Sequence, residues 1–291
     1  MGLGKLKKIL SVIMCTVCMV GMFGCGEQKA TTKDAAASSS ETADNNSGGI
    51  LESIKSKSKI VVGTSAGTGY VPYVFADAKS NKIVGIDIEL ANALADKLGV
   101  KLEIQDMTFS AVLSSLPTNK IDIAIAGICV TDERKKSVDF SDTYLDSEQK
   151  VLIRKEDSDS LKSLADFAGK SVGAQKATTQ EKLANSEMTD THVVAVEKVP
   201  DVILELKNKK IDGVVMEGVV AQQYMLVNPD LVLSDAEFEN KLKPTAMAVS
   251  KGNEDFLEIV NEVIKENIEN GNIEKWVTQY SQLAADNAKN S

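Results

Sequence analysis

The sequence predicts an α/β protein with two similar lobes, and three patterns lead to that prediction. From Lys59 onward, short apolar strands alternate with amphipathic helices, which is typical of a mostly parallel sheet covered by helices on both faces. A shift of 90 residues lays 112–122 over 202–212, which indicates that one helix–strand unit occurs twice, although chance resemblance is the alternative. Two stretches, 149–154 and 244–250, could cross between the lobes, and two crossings would form the hinge of a closing cleft.

The individual elements follow from apolar periodicity and from capping residues. The predicted elements of the first unit are a strand at 59–64, a Gly- and Tyr-rich loop at 65–74, a helix capped by Asp87 and closed by Gly99, a strand at 101–107 and a helix capped by Ser110. Two amphipathic helices, Phe256–Ile268 and Ile273–Ala284, are expected to return to the first lobe.

The stretch Asn119–Tyr144 is the centre of the prediction. Four isoleucines interleaved with small residues are typical of a strand buried on both faces. The strand runs into Ala126 and Gly127, where a ligand can approach the backbone closely. In the second unit the corresponding strand ends at Met216-Glu217. Because ligands of open α/β sheets bind beyond the carboxyl ends of the strands, these two ends are the expected binding site.

Arg134 follows the central strand, behind Thr131 as a predicted helix N-cap. It is one of only two arginines in a chain that otherwise uses lysine. A guanidinium suits planar, bidentate recognition of a carboxylate. A surface salt bridge with Asp132 or Asp139 is an equally good interpretation from position alone.

Three further features could contact a ligand. Glu217 lies in an apolar run, where a carboxylate is costly unless paired, so it is a candidate for a ligand ammonium or for a helix cap. Thr178 and Thr179 are predicted to open a helix whose amides and hydroxyls could receive a ligand, or they serve as plain N-caps. Tyr70 and Phe109 could sandwich a ligand or belong to the core.

Composition excludes several classes of function. The net charge of −9 argues against nucleic-acid binding, which depends on basic contacts to phosphates. The single histidine, His192, has no Cys or His neighbour at metal-ligand spacing and is expected to lie in a loop before a strand. One histidine also rules out a Ser-His-Asp or Cys-His set, and no phosphate-binding glycine motif occurs. We therefore expect no metal, no cofactor and no catalytic residues.

The first 24 residues are predicted to be a signal peptide. A basic start is followed by an apolar run from Ile9 to Phe23, which is too short to span a bilayer. The segment ends at Gly24-Cys25, which resembles a bacterial lipobox, so Cys25 is the expected site of lipidation. Residues 25–49 then form a lipidated cysteine and a linker without large apolar residues, and this linker is expected to be flexible.

Two motifs together resemble the family 3 extracellular solute-binding proteins, which deliver polar amino acids to ABC importers. The first is Gly85-Ile86-Asp87-Ile88-Glu89-Leu90, and the second is Ala126-Gly127-Ile128…Thr131-Asp132-Glu133-Arg134 followed by Asp139-Phe140-Ser141. The resemblance covers about Lys59 to Leu283. It implies a periplasmic-binding-protein-like (type II) fold of two α/β lobes joined by two hinge strands. The lobes are expected at 50–147 plus 248–291 and at 148–247.

The resemblance also implies the role of each site residue. Arg134 would bind the α-carboxylate of the amino acid, and Glu217 would take its α-ammonium. The other implied ligand-binding residues are Gly127, Cys129, Thr178 and Thr179 around the carboxylate, and Tyr70, Phe109 and Gln175 around the side chain.

This chain departs from the family pattern at a few positions. Cys129 replaces the usual Ser or Thr, Glu217 the commoner Asp, and Ala177 a frequent Gly. Ser65 stands where relatives that bind basic amino acids tend to have Asp, which favours a polar or neutral ligand over lysine or arginine.

The implied function is the binding component of an ABC importer, and not an enzyme. Its partners would be a free amino acid, the transmembrane permease subunits, and the outer face of the cell membrane through a lipid such as palmitate on Cys25. The body would be a monomer. The alternatives are a cleft enzyme resembling cyclohexadienyl dehydratase and a sensor ectodomain.

Overall fold

The structure is a computed structural model that describes residues 49–289. The predicted signal peptide, Cys25 and almost all of the predicted linker lie outside these residues. No helix in the described part of the chain is long and apolar enough to cross a bilayer.

Helices and strands alternate as the apolar pattern predicts. The helices within residues 49–289 are α1 (Ile50–Lys57), α2 (Ile86–Leu98), α3 (Phe109–Ser115), α4 (Asp132–Lys135), α5 (Thr179–Glu187), α6 (Val199–Lys207), α7 (Gly218–Val227), α8 (Glu254–Glu269) and α9 (Asn272–Lys289). The strands are β1 (Lys59–Thr64), β2 (Phe75–Ala76), β3 (Ile83–Val84), β4 (Lys101–Asp106), β5 (Ile123–Cys129), β6 (Val138–Phe140), β7 (Leu145–Arg154), β8 (Ser171–Gln175), β9 (His192–Val196), β10 (Gly213–Glu217), β11 (Leu231–Leu233) and β12 (Leu242–Ser250).

The main sheet has two halves with the same internal order. Its strands run β4-β1-β5-β12-β7-β10-β8-β9, with β6 beside β12 and β11 beside β7. In the first half β1 lies parallel between β4 and β5, and in the second half β8 lies parallel between β9 and β10. The repeat seen in the sequence is therefore structural, because α3 and β5 recur as α6 and β10.

The two halves meet where β7 and β12 pair. Leu145–Glu148 of β7 lie antiparallel to Leu242–Thr245 of β12. Beyond this crossing, β12 continues along β5 and β7 continues along β10. Both stretches that were expected to cross between lobes belong to these strands. The crossing lies just before the first stretch, 149–154, and overlaps the start of the second, 244–250.

Each half is covered by helices that bury apolar side chains on the sheet. β5 is buried along its whole length, as expected of a strand covered on both faces. Phe167 fills the core of the second half, and the largest core cluster runs from α2 and α8 to α6 and α7.

Two predicted helix caps are wrong. α2 begins at Ile86 with Gly85 at the N-cap position, so Asp87 lies inside the first turn. α3 begins at Phe109 after Thr108, which places Ser110 within the helix. In contrast, Thr131 caps α4 as predicted, because its hydroxyl accepts a hydrogen bond from the Arg134 amide at 3.2 Å.

Candidate functional site

A small cavity lies where the carboxyl ends of β5 and β8 face each other across the two halves. It is lined by Tyr70, Phe109, Ala126, Gly127, Cys129, Arg134, Gln175, Thr178, Thr179, Gln180 and Lys243. Eight of the nine ligand-binding residues predicted from the sequence are in this set. Glu217, the ninth, lies directly behind it and is fully buried.

The cavity is nearly closed. The volume that the centre of a water molecule can reach inside it is about 10 Å³, which is room for about one water. A ligand the size of an amino acid therefore enters only when the two walls move apart.

Arg134 extends from α4 across this cavity. One guanidinium nitrogen donates to the Cys129 carbonyl at 2.8 Å, and another donates to the Ala177 carbonyl of the opposite wall at 3.1 Å. The guanidinium carbon lies 5.4 Å from the centre of the Phe109 ring, within the range of a cation–π interaction. Burial lowers the pKa of Arg134 below its usual value, although the group stays protonated at any physiological pH.

The alternative of a surface salt bridge is not what the described residues show. Asp132 pairs with Lys135 at 3.7 Å, and Asp139 pairs with Lys251 at 2.8 Å. Both Arg134 partners are neutral carbonyl oxygens. A partly buried guanidinium without a carboxylate partner is well suited to bind one.

Gly127 brings the backbone of the central strand to the cavity floor. Its φ of +57° is a conformation that favours glycine, and a Cβ here would lie 2.9 Å from the Tyr70 ring. Its amide donates to the Asp87 carboxylate at 2.7 Å, and Tyr144 donates to the other oxygen of Asp87 at 2.7 Å. Asp87 therefore connects the two motifs that carry the family resemblance.

Asp87 is a fully buried carboxylate beside the cavity floor. Burial raises its pKa to about 7, while the hydrogen bonds from Tyr144 and Gly127 act in the opposite direction. Burial thus favours the protonated, neutral form of Asp87 far more than in an exposed aspartate.

The opposite wall comes from the loop after β8 and the start of α5. The Thr178 hydroxyl accepts from the Glu181 amide at 3.3 Å, so it caps α5, and it also donates to the Gln175 carbonyl at 2.5 Å. Gln180 donates to the Tyr70 hydroxyl at 3.3 Å across the cavity. Thr178 therefore combines capping with a position on the wall, as both interpretations allowed, while Thr179 is the first residue of α5 and lines the wall.

Tyr70 and Phe109 are buried and also face the cavity, so they can belong to the core and contact a ligand at the same time.

Cys129 is a free thiol at the end of β5, and burial raises its pKa above the usual value. A protonated thiol is a weak hydrogen-bond donor, which agrees with the weakened contact expected at this position.

Glu217 ends β10 with partners already in place. Its carboxylate accepts hydrogen bonds from the hydroxyls of Tyr70, at 2.6 Å, and of Tyr73. The ammonium of Lys243 lies 2.8 Å away, and both members of the pair are buried. The sequence analysis did not identify Lys243, which lies one residue before the predicted crossing stretch 244–250. A lysine in a mostly apolar strand was the signal that could have indicated it.

Comparisons with known proteins agree with this architecture. The profile of the bacterial extracellular solute-binding proteins, family 3, matches residues 60–282. This chain belongs to that family.

Among the residues that the structure describes, no group of three or more His, Cys, Asp or Glu side chains could hold a metal ion.

Relatives of this family 3 protein are similar over most of their length. The arginine-binding extracellular protein ArtP of Bacillus subtilis is 35% identical over 232 residues, which cover 76% of this chain and 87% of ArtP. The amino acid ABC transporter substrate-binding protein AbpA of Streptococcus pneumoniae, solved with bound L-arginine, is 36% identical with a TM-score of 0.78, covering 80% of this chain and 99% of AbpA. The ancestral amino acid-binding protein AncCDT-1, a precursor of cyclohexadienyl dehydratase, is 31% identical with a TM-score of 0.73. The match covers 80% of this chain and 99% of AncCDT-1.

These matches confirm the predicted family, the two-lobed fold and the role as a solute-binding component of an ABC importer. The named relatives are binding proteins; ArtP is named as arginine-binding, and AbpA is solved with bound L-arginine. The roles of the individual site residues remain predictions.

Proposed function

We propose that this family 3 protein binds one free amino acid in the cavity between its lobes and delivers it to an ABC permease. The observation that carries the proposal is the partly buried guanidinium of Arg134, which lies in the cavity with only carbonyl oxygens as hydrogen-bond partners. The α-carboxylate of the ligand would bind there, with Gly127 and Cys129 on one wall and Thr178 and Thr179 on the other. Tyr70, Phe109 and Gln175 would surround the side chain of the ligand.

The energetics agree with this role. Micromolar affinity corresponds to about −8 kcal/mol. Hydrogen bonds to charged groups contribute roughly 1.5–3 kcal/mol each, so a carboxylate on Arg134 supplies a substantial share. The remainder would come from closure of the walls around the ligand.

Closure would occur about the paired segments of β7 and β12. The bodies that move would be residues 50–147 plus 248–291 and residues 148–247, in the boundaries expected from the sequence. The protein would be a monomer held at the outer face of the cell membrane by a lipid on Cys25, and binding would involve no cofactor and no catalysis.

A thermal-shift screen against the twenty amino acids and cystine tests the function. A ligand at about 100 times its dissociation constant stabilises the folded protein by about 2.7 kcal/mol, so the true ligand raises the melting temperature by several degrees. A protein that no amino acid stabilises would contradict the proposal. Incubation with prephenate or arogenate tests the enzyme alternative, which requires product to form.

A further inference from the structure

A buried amide oxygen beside the cavity has no hydrogen-bond partner. Gln149 directly follows the segment of β7 that pairs with β12, and it is only 1% exposed. Among residues 49–289 nothing donates to its Oε1 atom, although polar atoms buried this deeply almost always have a partner. Its Nε2 atom does have one, because it donates to the Thr179 hydroxyl at 3.4 Å, and Thr179 lines the cavity.

The strand register places this side chain on the cavity side of the sheet. Gln149 of β7 and Glu217 of β10 lie directly opposite each other in an antiparallel pair. Side chains of directly opposite residues point to the same face of a sheet. The Glu217 side chain reaches the hydroxyl of Tyr70, which lines the cavity, so the Gln149 side chain is directed toward the cavity as well.

A chain of hydrogen bonds fixes which amide atom of Gln149 is left over. The ionised Glu217 carboxylate can only accept, so the Tyr70 hydroxyl donates to it at 2.6 Å and accepts from Gln180 Nε2 at 3.3 Å. The Gln180 oxygen therefore faces Thr179 and accepts from its hydroxyl at 3.4 Å. Thr179 in turn accepts from Gln149 Nε2, which leaves the Gln149 oxygen as the unused acceptor at the end of the chain.

Glu217, to which the family resemblance assigns the ammonium of the ligand, already has its partners. Its carboxylate accepts from the hydroxyls of Tyr70 and Tyr73 and from the ammonium of Lys243. It is also fully buried behind the cavity wall. An ammonium that enters the cavity would have to displace these groups to reach Glu217, whereas the oxygen of Gln149 is not used by any described residue.

We propose that the side-chain oxygen of Gln149 accepts a hydrogen bond from the α-ammonium of the bound amino acid, which makes Gln149 a further ligand-binding residue. This inference rests on the proposed function. A des-amino analogue, in which hydrogen replaces the ammonium, leaves this buried oxygen without a donor, and that is unfavourable. Gln149 thereby makes the cavity select amino acids over simple carboxylates.

Calorimetry on the full chain with a pair of probes tests the inference. The first probe is the member of the twenty L-amino acids and L-cystine with the largest thermal shift, and the second is its des-amino analogue; for L-glutamate that analogue is glutarate. For the wild type we expect the amino acid to bind at least about 10-fold more tightly than the analogue, which is the size of one hydrogen bond to a charged group. Gln149→Met should narrow this ratio by about 10-fold, because the amino acid binds more weakly while the analogue stays within about 3-fold of the wild type.

Gln223→Met is the matched control. Gln223 is also a buried glutamine whose Nε2 atom donates to a hydroxyl, that of Ser281 at 3.0 Å, and whose oxygen has no partner among the described residues. It does not line the ligand cavity. The same substitution there should leave the ratio of the two affinities unchanged.

The inference is overturned if the analogue binds the wild type within about 3-fold of the amino acid, a result that requires no variant to fold. It is also overturned if Gln149→Met narrows the ratio by less than about 3-fold. Equal weakening of both probes would show a purely structural role, and unchanged binding of both would show that the ammonium binds elsewhere. Each of these results leaves amino-acid binding intact, whereas failure of every compound in the screen to bind would contradict the proposed function.

Discussion

The guanidinium of Arg134 donates a hydrogen bond to the carbonyl of Ala177 at 3.1 Å, and this contact joins the two walls of the cavity. A second contact of the same kind lies at the edge of the cleft, where the Tyr224 hydroxyl donates to the Gly69 carbonyl at 2.8 Å. Both join elements from opposite halves of the sheet. In the proposed function these contacts belong to the closed arrangement, so a substitution that separates them should change ligand affinity.

Gly69→Ala should favour the open arrangement. Gly69 has a φ of +71°, and a Cβ here would lie 2.9 Å from the Pro200 ring on the opposite lobe, a clash that opening relieves. We expect a several-fold loss of affinity for the ligand and a larger radius of gyration in small-angle scattering.

Gly99→Ala is the matched control. Gly99 has a similar φ of +67°, and nothing lies within 4 Å of the added Cβ. The backbone strain should lower stability in both variants, while only Gly69→Ala should lower affinity. Equal affinities of the two variants would show that closure does not depend on this contact.

Glu217→Gln should destabilise the protein strongly. The substitution leaves the ammonium of Lys243, which is 2% exposed, without a carboxylate, and removing one partner of a buried pair costs about 3–5 kcal/mol. Denaturant unfolding measures this change. In Lys243→Met/Glu217→Gln no charge is left unpaired, so most of the loss should be recovered. A double variant as unstable as the single one would show that packing, and not charge pairing, is the main contribution of these residues.

Asp87 should make the free energy of unfolding decrease as pH rises. Its pKa of about 7 in the folded protein lies above the ordinary value of about 3.9, so the folded state binds more protons between these values. The contribution of Asp87 to the free energy of unfolding is therefore largest below pH 4. Each rise of one pH unit between about 4 and 7 lowers that free energy by at most about 1.4 kcal/mol. In urea titrations at pH 5, 6, 7 and 8, the free energy of unfolding of Asp87→Asn should lack this decrease with pH.

Asp159→Asn provides the reference for that comparison, because the Asp159 side chain is fully exposed and pairs with the surface residue Lys162. It should follow the pH dependence of the wild type. Identical profiles for Asp87→Asn and the wild type would contradict the elevated pKa.

Much of the fold could be predicted from local patterns. The structure agrees with three such patterns: the isoleucines of β5, the cap at Thr131, and the helix–strand unit that recurs after 90 residues. Each of them is visible within a short stretch of sequence. The convergence of Arg134 and Thr178 on one cavity followed from the family motif together with the position of strand ends. Asp87 was misjudged as a cap because its partners, Gly127 and Tyr144, are distant in sequence.

The pairing of Glu217 with Lys243 could not be predicted in the same way. Glu217 ends one strand of the second half, and Lys243 lies on the strand that returns to the first half. Their contact exists only because β7 and β12 cross there. The apolar surroundings of Glu217 did indicate that it needed a partner, and the fold supplies that partner from within the chain.

The most direct test of the account is the affinity of Arg134→Ala for the ligand found in the thermal-shift screen, measured by calorimetry beside Lys135→Ala, an exposed neighbour on α4. We expect Arg134→Ala to bind at least about 100-fold more weakly, because about 3 kcal/mol or more is lost when a buried carboxylate has no partner, and Lys135→Ala to bind like the wild type. Unchanged affinity in a folded Arg134→Ala variant would contradict the central claim that this guanidinium binds the carboxylate of the amino acid.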